Sequence, residues 1–310
     1  MRQTLVTLLL LLVLTIPAAA QSHRALITEL AGAVTIQRAN GTNTAASWGV
    51  QLFDGDVLTT GANSKAALLY SNGSLLSVAA NSETRVEGND ASPAVDPTLL
   101  ADVSDLTLQR TGFGELAALG GLRAGPRESV IDLQFPRQTR LMDANPTFDW
   151  ATETAFEIYT VTVLSDDGQV WSGTTEESQL SYPTTAPALQ SGMTYYWRVE
   201  GEEMLDMTRS ELVQFEVMAP EEIDGITQAE AGIRAAFSDD SAAASRDFLL
   251  GSFYAKQGMN AEALATFRGI AKTQGDSAML HEILGRLYYE TGRKDLAVQS
   301  LKKALELSKL

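Results

Sequence analysis

The pattern of hydrophobic and polar positions divides the 310-residue chain into segments of different kinds. A continuous apolar run comes first, short apolar runs separated by turn residues follow, and the last part has the three-to-four-residue spacing of helices. This order predicts a multidomain chain that is β-rich first and α-helical last. The predicted segments are a signal peptide at 1–20, a first β domain at 21–87, a linker with a short helix at 88–129, a β-sandwich at 130–220 and helical repeats at 222–310.

The first twenty residues have the pattern of an export signal. Arg2 precedes the apolar run Leu5–Ile16, and Pro17 and the alanines Ala18–Ala20 follow, which predicts cleavage before Gln21. The run is shorter than the roughly 20 residues that a membrane-spanning helix needs, although an uncleaved anchor is the alternative. Because the chain contains no cysteine, a bacterial lipid anchor is excluded. We therefore expect a periplasmic or secreted protein that is not a lipoprotein.

Short apolar runs and turn dipeptides alternate through residues 25–87, which predicts an all-β domain. The clearest hairpin joins Ala66–Ser71 to Ser74–Val78 through Asn72-Gly73, a pair typical of a two-residue type I′ turn. Asp54 and Asp56 could be taken for calcium ligands, but the residues that follow them supply no further oxygen ligands, so a plain turn is favoured and no metal site is predicted.

The same segment has a recurrent pattern of glycine, aspartate and apolar residues. Its members are Gly32, Val34, Asp54, Gly55, Asp56, Leu58, Thr60, Gly61, Ala66, Leu68, Tyr70, Asn72, Gly73, Ser74 and Leu76. This pattern resembles the FecR domain, which is found in the periplasmic part of ferric-citrate-type regulators. The resemblance implies a β-rich interaction domain without catalytic residues. It does not extend to sigma-factor regulation, because those regulators have a cytoplasmic segment and a membrane span, whereas this chain begins with a predicted cleavable signal.

The segment 88–129 has the composition of a linker. Within it, Gly112–Ala117 imitates a dinucleotide-binding fingerprint, but the helix candidate Glu115–Leu119 ends at Gly120-Gly121, so nucleotide binding is not expected. A short helix that packs on a neighbouring domain is the preferred interpretation, and no cofactor is predicted.

Seven short alternating runs predict an antiparallel sandwich in residues 130–218. Tyr195, Trp197 and Val199 share one face of a strand and are expected to point inward. Leu189-x-x-Gly192-x-x-Tyr195 resembles the tyrosine-corner strand of fibronectin type III and other Ig-like domains, and the resemblance implies that fold but no ligand. The predicted runs are Val130–Phe135, Thr147–Trp150, Phe156–Leu164, Gln169–Gly173, Gln179–Tyr182, Tyr195–Glu200 and Leu212–Val217.

The aromatic residues of this sandwich also suggest a second interpretation, a platform on which sugar rings stack. Most of the aromatic side chains occupy positions that the core needs. Trp171 and Tyr196 are the two that alternation leaves as candidates for exposure, so they are the candidate glycan contacts.

The C-terminal part repeats itself with a period of 34 residues. The aligned residues are Leu250, Gly251, Tyr254, Gly258, Ala263, Phe267 and Ile270 in the first copy and Leu284, Gly285, Tyr288, Gly292, Ala297, Leu301 and Ala304 in the second. This spacing and these residues resemble tetratricopeptide repeats. The repeated glycines are expected where two helices approach closely, with a large side chain of the second helix filling the space beside them. A lone helix, Ile226–Phe237, is expected to precede the repeats.

The resemblance implies a short α-helical solenoid that binds proteins or peptides in a concave groove lined by the first helix of each repeat. A solvated face that binds nothing in particular is the alternative for any single residue. Lys256 and Arg286 are candidates to bind a peptide carboxylate. The last helix lacks a cap, so a second copy of the chain is a further candidate partner. The groove residues that we predict to bind a partner are Phe248, Ser252, Lys256, Glu282, Arg286 and Tyr289, and their neighbours in the groove are Ser245, Ala255, Met279 and Glu290.

Charge is distributed unevenly along the chain. The net charge of −16 argues against nucleic-acid binding. Residues 21–243 contain 12 bases and 32 acids, whereas residues 244–310 contain 10 bases and 7 acids. A mildly basic tail therefore follows two acidic domains, and it could contact either an acidic partner or its own β domains.

The sequence offers no recognisable catalytic arrangement. It has no cysteine and two histidines, His23 and His281, neither of which belongs to a metal-binding or nucleophilic motif. We therefore predict a non-catalytic adaptor of the bacterial envelope that binds protein partners through the repeat groove and the first β domain. The alternatives are a peptidoglycan- or glycan-binding envelope protein and an accessory signalling protein that acts on an outer-membrane transducer.

Overall fold

The computed structural model describes residues 24–88, 131–153, 155–203, 206–237 and 243–309. The predicted signal peptide, the short linker helix and the dinucleotide-like segment lie outside these residues. Within them, β-sheets come first and helices last, as the sequence predicts. None of the described helices is both long enough and apolar enough to cross a membrane.

Two four-stranded antiparallel sheets form the first domain. One has the strand order β4-β1-β6-β7 and the other the order β3-β2-β5-β8. Their inner faces enclose a core that includes Ile27, Ile36, Leu58 and Leu68, all of them fully buried. The strands are β1 (Ala25–Ala31), β2 (Val34–Gln37), β3 (Asn43–Ala45), β4 (Gln51–Leu52), β5 (Val57–Thr60), β6 (Lys65–Tyr70), β7 (Leu75–Val78) and β8 (Glu83–Arg85).

The predicted hairpin is confirmed as the β6–β7 pair, but the type of its turn differs from the prediction. Gly73 N–H donates to the carbonyl of Tyr70, and Tyr70 N–H donates to the carbonyl of Ser74. Of the two predicted turn residues, Gly73 has a positive φ (85°) and Asn72 does not. The loop therefore has three residues with glycine in the left-handed position, a standard alternative to the two-residue turn.

Asp56, the aspartate of the Gly-Asp signature, organises the turns of this domain. Its side chain is 2% exposed, and its carboxylate accepts hydrogen bonds from Arg38 and from the backbone N–H groups of Ala39 and Phe53. A buried carboxylate needs such donors, because without them burial of its charge is costly. These contacts give a structural role for the aspartate at position 56.

The second domain is a sandwich of two sheets with orders β10-β17-β15-β12-β13 and β14-β11-β9, and β16 pairs with β15. All seven predicted runs form strands. Two short strands, β10 and β16, were missed, and β10 pairs in parallel with β17. The strands are β9 (Ile131–Phe135), β10 (Thr139–Leu141), β11 (Thr147–Thr152), β12 (Ile158–Ser165), β13 (Gly168–Thr175), β14 (Gln179–Ser181), β15 (Met193–Glu203), β16 (Asp206–Arg209) and β17 (Val213–Val217).

The core of the sandwich contains the side chains that alternation assigned to it. Tyr195, Trp197 and Val199 are buried, as predicted. The Tyr195 hydroxyl accepts a hydrogen bond of 2.7 Å from the N–H of Gln190, five residues earlier in the chain, which is the geometry expected of a tyrosine corner. Trp197 donates through Nε1 to the carbonyl of Pro136 at 2.6 Å, so its only polar atom is also satisfied.

The C-terminal part consists of two helical hairpins at the predicted spacing and the lone helix before them, which begins at Pro220 rather than at the predicted Ile226. A Cβ atom added to Gly251 would lie 2.9 Å from Phe267, and one added to Gly285 would lie 2.7 Å from Leu301. The prediction that these glycines allow close helix packing is therefore confirmed. The helices are α1 (Pro220–Ala236), α2 (Ala243–Lys256), α3 (Asn260–Gln274), α4 (Ala278–Glu290) and α5 (Lys294–Leu307).

The helices pack against both β domains. Leu26, Trp48 and Leu69 of the first domain belong to the same hydrophobic cluster as the buried residues of α1–α4. Of the two contacts considered for the C-terminal tail, the one with its own β domains is therefore present. The outer face of the β4-β1-β6-β7 sheet is covered by the solenoid.

Candidate partner-binding cleft

The first helices of the two repeats, α2 and α4, line the face that the sequence predicts to bind a partner. The first β domain covers the N-terminal part of this face. Phe248 is fully buried, and its ring lies edge-on to Trp48 with a centroid distance of 5.4 Å. Ser252 is 2% exposed and donates to the carbonyl of Phe248. Two of the six predicted groove residues are therefore inside the protein in this arrangement.

Polar contacts fix the position of the first domain on the helices. The hydroxyl groups of Thr28 and Ser245 lie 2.6 Å apart and are both buried. The N–H of Leu30 donates to the side-chain carbonyl of Gln274 at 3.2 Å. At the start of α4, a Cβ atom at Gly49 would come within 2.5 Å of the Met279 sulfur, so this position needs a glycine.

The C-terminal part of the same face is open. A cleft lies between α2 and α4, and its floor consists of Ala255, Ile283 and Leu287. Arg286 and Glu290 form its rim and pair with each other at 3.0 Å, one helical turn apart. The cleft thus combines an apolar floor with one charge of each sign.

The other predicted groove residues with some exposure do not line this cleft. Tyr289 is 43% exposed and Lys256 is exposed, whereas Glu282 is half-buried. Of the six predicted groove residues, Arg286 therefore lines the cleft, three others keep some exposure, and two are buried. An exposed aromatic ring beside an apolar cleft is a common feature of protein-binding surfaces.

The sandwich contacts the turns that follow the C-terminal ends of α2 and α4. The segment that crosses from β9 to β10 approaches the turns between the helices of each repeat. Arg137 donates from Nε to the carbonyl of Thr291 at 2.6 Å, and Arg140 donates from Nη1 to the carbonyl of Gln257 at 3.2 Å. Arg140 also pairs with Glu216 and with Glu222 of α1. The hydrogen bond from Arg140 lowers the pKa of Glu222 from its ordinary value.

The sequence analysis did not predict which residues of the β domains contact the solenoid. One sequence pattern does indicate such a contact. The run Ala66–Tyr70 is apolar at every position rather than at every second one, and all five residues are buried. Such runs are typical of strands that are buried on both faces. For Arg137 and Arg140 no local pattern exists, because the solenoid carbonyl groups that they bind lie more than a hundred residues away in the sequence.

The two aromatic residues proposed for glycan stacking are not fully exposed. Trp171 is half-buried, stacks on Phe148 at 6.4 Å and contacts Tyr182 edge-on at 5.1 Å. The strand register explains why Trp171 lies on the inner face of the sheet: it pairs with Val163, whose side chain points into the core. Tyr196 is half-buried on the opposite face of the sheet. The two rings therefore do not form one platform.

Comparison with known proteins agrees with the helical part of this description. The tetratricopeptide repeat family matches residues 280–309, which include most of α4 and all of α5. This match confirms a repeat of that kind near the C-terminus. No curated protein matches the chain.

Several solved structures share limited similarity with the chain. A cell surface anchoring domain is 23% identical over 23% of this chain and 99% of its own length, with a TM-score of 0.21. A two-domain fibronectin type III segment of chicken tenascin is 12% identical over 63% of this chain and 93% of its own, with a TM-score of 0.19. Fibronectin(III)-like modules of Clostridium thermocellum CbhA are 9% identical over 65% and 82%, with a TM-score of 0.20.

Proposed function

We propose that this protein is an exported, non-catalytic scaffold of the bacterial envelope that binds a segment of a partner protein in the cleft between α2 and α4. The observation that carries the proposal is the position of the cleft on the face where tetratricopeptide repeats bind proteins. The signal-like N-terminus supports export. The absence of a recognisable catalytic motif from the sequence supports a binding role.

The positions of the two β domains restrict which part of the groove a partner can reach. The first domain covers the N-terminal ends of the groove helices, and the β9–β10 crossover contacts the turns at their C-terminal ends. A partner therefore reaches the C-terminal halves of α2 and α4 between the two β domains. Ile283 and Leu287 provide an apolar floor for one hydrophobic side chain, and Arg286 can exchange its pairing with Glu290 for a carboxylate of the partner.

The test is capture of partners in intact cells of the source organism. A photo-crosslinking amino acid at Tyr289, followed by mass spectrometry, should give discrete protein adducts from the envelope. A second variant, Arg286→Glu combined with Lys256→Glu, should lose these adducts. The matched variant Arg234→Glu changes the same kind of charge on α1, away from the cleft, and should keep them.

The outcomes separate the candidate functions. Adducts that persist in Arg286→Glu/Lys256→Glu would place the binding surface elsewhere. Recovery of sacculus or polysaccharide alone, without a protein adduct, would contradict the scaffold and support the glycan-binding alternative.

A further inference from the structure

Strand β13 forms the edge of the sandwich opposite the one that contacts the solenoid. In the order β10-β17-β15-β12-β13, the strands β10 and β13 stand at the two ends. The β10 edge is covered, because the N–H of Arg140 donates to the carbonyl of Gly258 at 3.0 Å. In the part of the chain that the structure describes, β13 pairs with β12 alone, and with eight residues it is the longest strand at a sheet edge. Edges of this kind are where another chain can add a strand.

The hydrogen bonds of the neighbouring strands identify which main-chain groups of β13 are already paired. The N–H of Ser210 donates to the carbonyl of Val199 at 2.8 Å, and the N–H of Val199 donates to the Ser210 hydroxyl at 3.0 Å. The main-chain groups of Val199 therefore point away from β12. Those of its β12 partner, Val161, consequently point towards β13, where they meet Gly173.

The main-chain groups of Ser172 and Thr174 point outward from the sheet, because the direction alternates along a strand and Gly173 between them faces β12. Both residues are exposed. A register shift leaves Val170 without a partner on β12, so the regular part of the edge is Trp171–Thr175. That part contains neither a charged residue nor a proline, which are the residues that commonly protect an edge from further pairing.

The inward side of the same edge is apolar. The ring of Trp171 lies over Gly173, where an added Cβ atom would clash with the ring and would lie 3.2 Å from Leu180 of β14. Trp171 and Leu180 are both half-buried. A strand added to β13 would direct every second side chain towards these two groups, so apolar side chains suit those positions.

Acidic residues stand at both ends of β13. Asp166 and Asp167 precede the strand, Glu176 and Glu177 follow it, and all four are exposed. Among the described residues none of these four carboxylates takes part in an ion pair, in contrast to the paired glutamate of β15. Residues 141–197 contain no lysine or arginine. The edge is therefore an uncharged strand between two negative ends.

We propose that the β13 edge binds a basic, extended segment of a partner protein, which adds to the sheet as an antiparallel strand. Its main chain pairs with Ser172 and Thr174, alternate apolar side chains contact Trp171, and lysines or arginines at its ends lie beside the acidic residues. A second copy of the chain fits less well, because either orientation of a second β13 would bring like charges together. The edge is separate from the cleft between α2 and α4.

The test uses the whole mature chain and a fluorescent peptide in which three valines alternate with three threonines between two lysines at each end. The peptide should bind, and its affinity should fall as salt increases, because exposed charges are screened. A peptide with glutamates in place of the lysines should bind about tenfold more weakly or less. Equal binding of the two peptides overturns the requirement for a basic segment.

Methylation of the peptide main chain tests strand addition directly. In an antiparallel strand whose valines face inward, the threonine N–H groups point towards β13 and the valine N–H groups point away. N-methylation at the threonines should therefore weaken binding about tenfold relative to N-methylation at the valines. Equal binding of the two methylated peptides would contradict strand addition.

Hydrogen exchange of the wild-type chain, measured by NMR, locates the peptide without any substitution. With saturating peptide, the N–H groups of Ser172 and Thr174 should exchange about tenfold more slowly or less, since they become hydrogen-bonded. The N–H of Gly173 already faces β12 and should change little. Unchanged exchange at Ser172 and Thr174 would place the bound peptide elsewhere and overturn the site.

Two variants test the acidic ends. Asp166→Asn combined with Asp167→Asn keeps residues that favour a turn and should weaken binding of the lysine peptide about fivefold. Glu221→Gln combined with Asp224→Asn removes the same charge from exposed positions of α1 and should bind as the wild type does. Equal weakening by both would assign the effect to net charge and contradict a role for the acidic ends. Dimerisation of the chain that the peptide reverses would assign the edge to a second copy instead.

Discussion

Arg137 and Arg140 bind equivalent main-chain carbonyl groups in the two helical repeats. Their acceptors, Thr291 and Gln257, are 34 residues apart, which is the repeat period. In addition, the N–H of Arg140 donates to the carbonyl of Gly258 at 3.0 Å. A short crossover of the sandwich thus contacts two successive repeats at the same position, which fixes the solenoid relative to the sandwich.

The first prediction concerns this contact. Arg137→Gln removes a buried guanidinium that donates to the carbonyl of Thr291 and pairs with Glu211. Because a charged hydrogen bond is lost and the Thr291 carbonyl loses its donor, the free energy of unfolding should fall by about 2–3 kcal/mol. Urea denaturation followed by circular dichroism measures this change.

The comparison variant is Arg209→Gln, which removes an exposed arginine that pairs with Glu200 on the same sandwich. An exposed ion pair contributes about 0–1 kcal/mol. A loss for Arg137→Gln no larger than that for Arg209→Gln would mean that the sandwich does not dock on the repeats in solution.

The second prediction tests the contact between the first domain and α2 through a double-mutant cycle. Thr28→Val and Ser245→Ala each remove one of two buried hydroxyl groups that bond to each other. The double mutant should be more stable than the sum of the single losses predicts, by about 1 kcal/mol. A coupling energy of zero would show that the two residues do not touch in solution.

The third prediction concerns helix packing in the first repeat. Gly251→Ala should destabilise the protein by about 1–3 kcal/mol, because the new methyl group would press on the buried ring of Phe267. Gly269→Ala on α3 meets no atom within 4 Å and should instead stabilise by about 0.5–1 kcal/mol through helix propensity. Chemical denaturation of both variants measures the difference in sign, and stabilisation by both would contradict the close packing.

The fourth prediction compares two adjacent tyrosines. Tyr195→Phe removes the acceptor of the Gln190 N–H and should cost about 1–2 kcal/mol. Tyr196→Phe removes a hydroxyl that makes no hydrogen bond within the described residues and should change stability by less than about 0.5 kcal/mol. Equal effects on the unfolding midpoint would exclude a stabilising tyrosine corner.

The fifth prediction concerns pH. Glu262 has a raised pKa because burial disfavours its charged form, and its Oε2 atom is buried without a hydrogen-bond partner. Since the folded state binds this proton more tightly than the unfolded state, stability should decrease as pH rises above the ordinary value of 4.5. Glu262→Gln should therefore be more stable than the wild type at pH 7 and lose this advantage below pH 4.5.

The exposed turn residue Glu176 provides the reference for that measurement. Glu176→Gln changes the net charge by the same amount without touching a buried group. A pH-dependent gain of the same size in both variants would assign the effect to net charge rather than to the burial of Glu262.

Local patterns predicted much of the fold. The 34-residue period located the paired helices, and the close approach at Gly251 and Gly285 followed from residue size. Alternation identified the buried face of β15 through Tyr195 and Trp197. The resemblance of the first domain to FecR domains stays a prediction, as do the boundaries of the domains and the position of the site.

The arrangement of the domains could not be predicted from local patterns. Phe248 and Ser245 have the spacing of groove residues, and nothing near them in the sequence indicates that Trp48 contacts Phe248 and that Thr28 contacts Ser245. Such contacts depend on the shape of two folded surfaces, which hydrophobic periodicity does not encode. Of the predicted groove residues, Arg286 lines the open cleft, and the binding role of all six stays a prediction.

The burial of β1 and β6 on both faces has a consequence for biosynthesis. The hydrogen-bond partner of Thr28 is Ser245, which comes 217 residues later in the chain. The apolar outer face of the sheet is likewise covered only by helices that come later. Because the covering helices come last in the chain, a first domain that folds before them exposes this surface until they dock. During that interval the sheet is open to aggregation, and a chaperone that shields apolar strands would increase the yield of native protein.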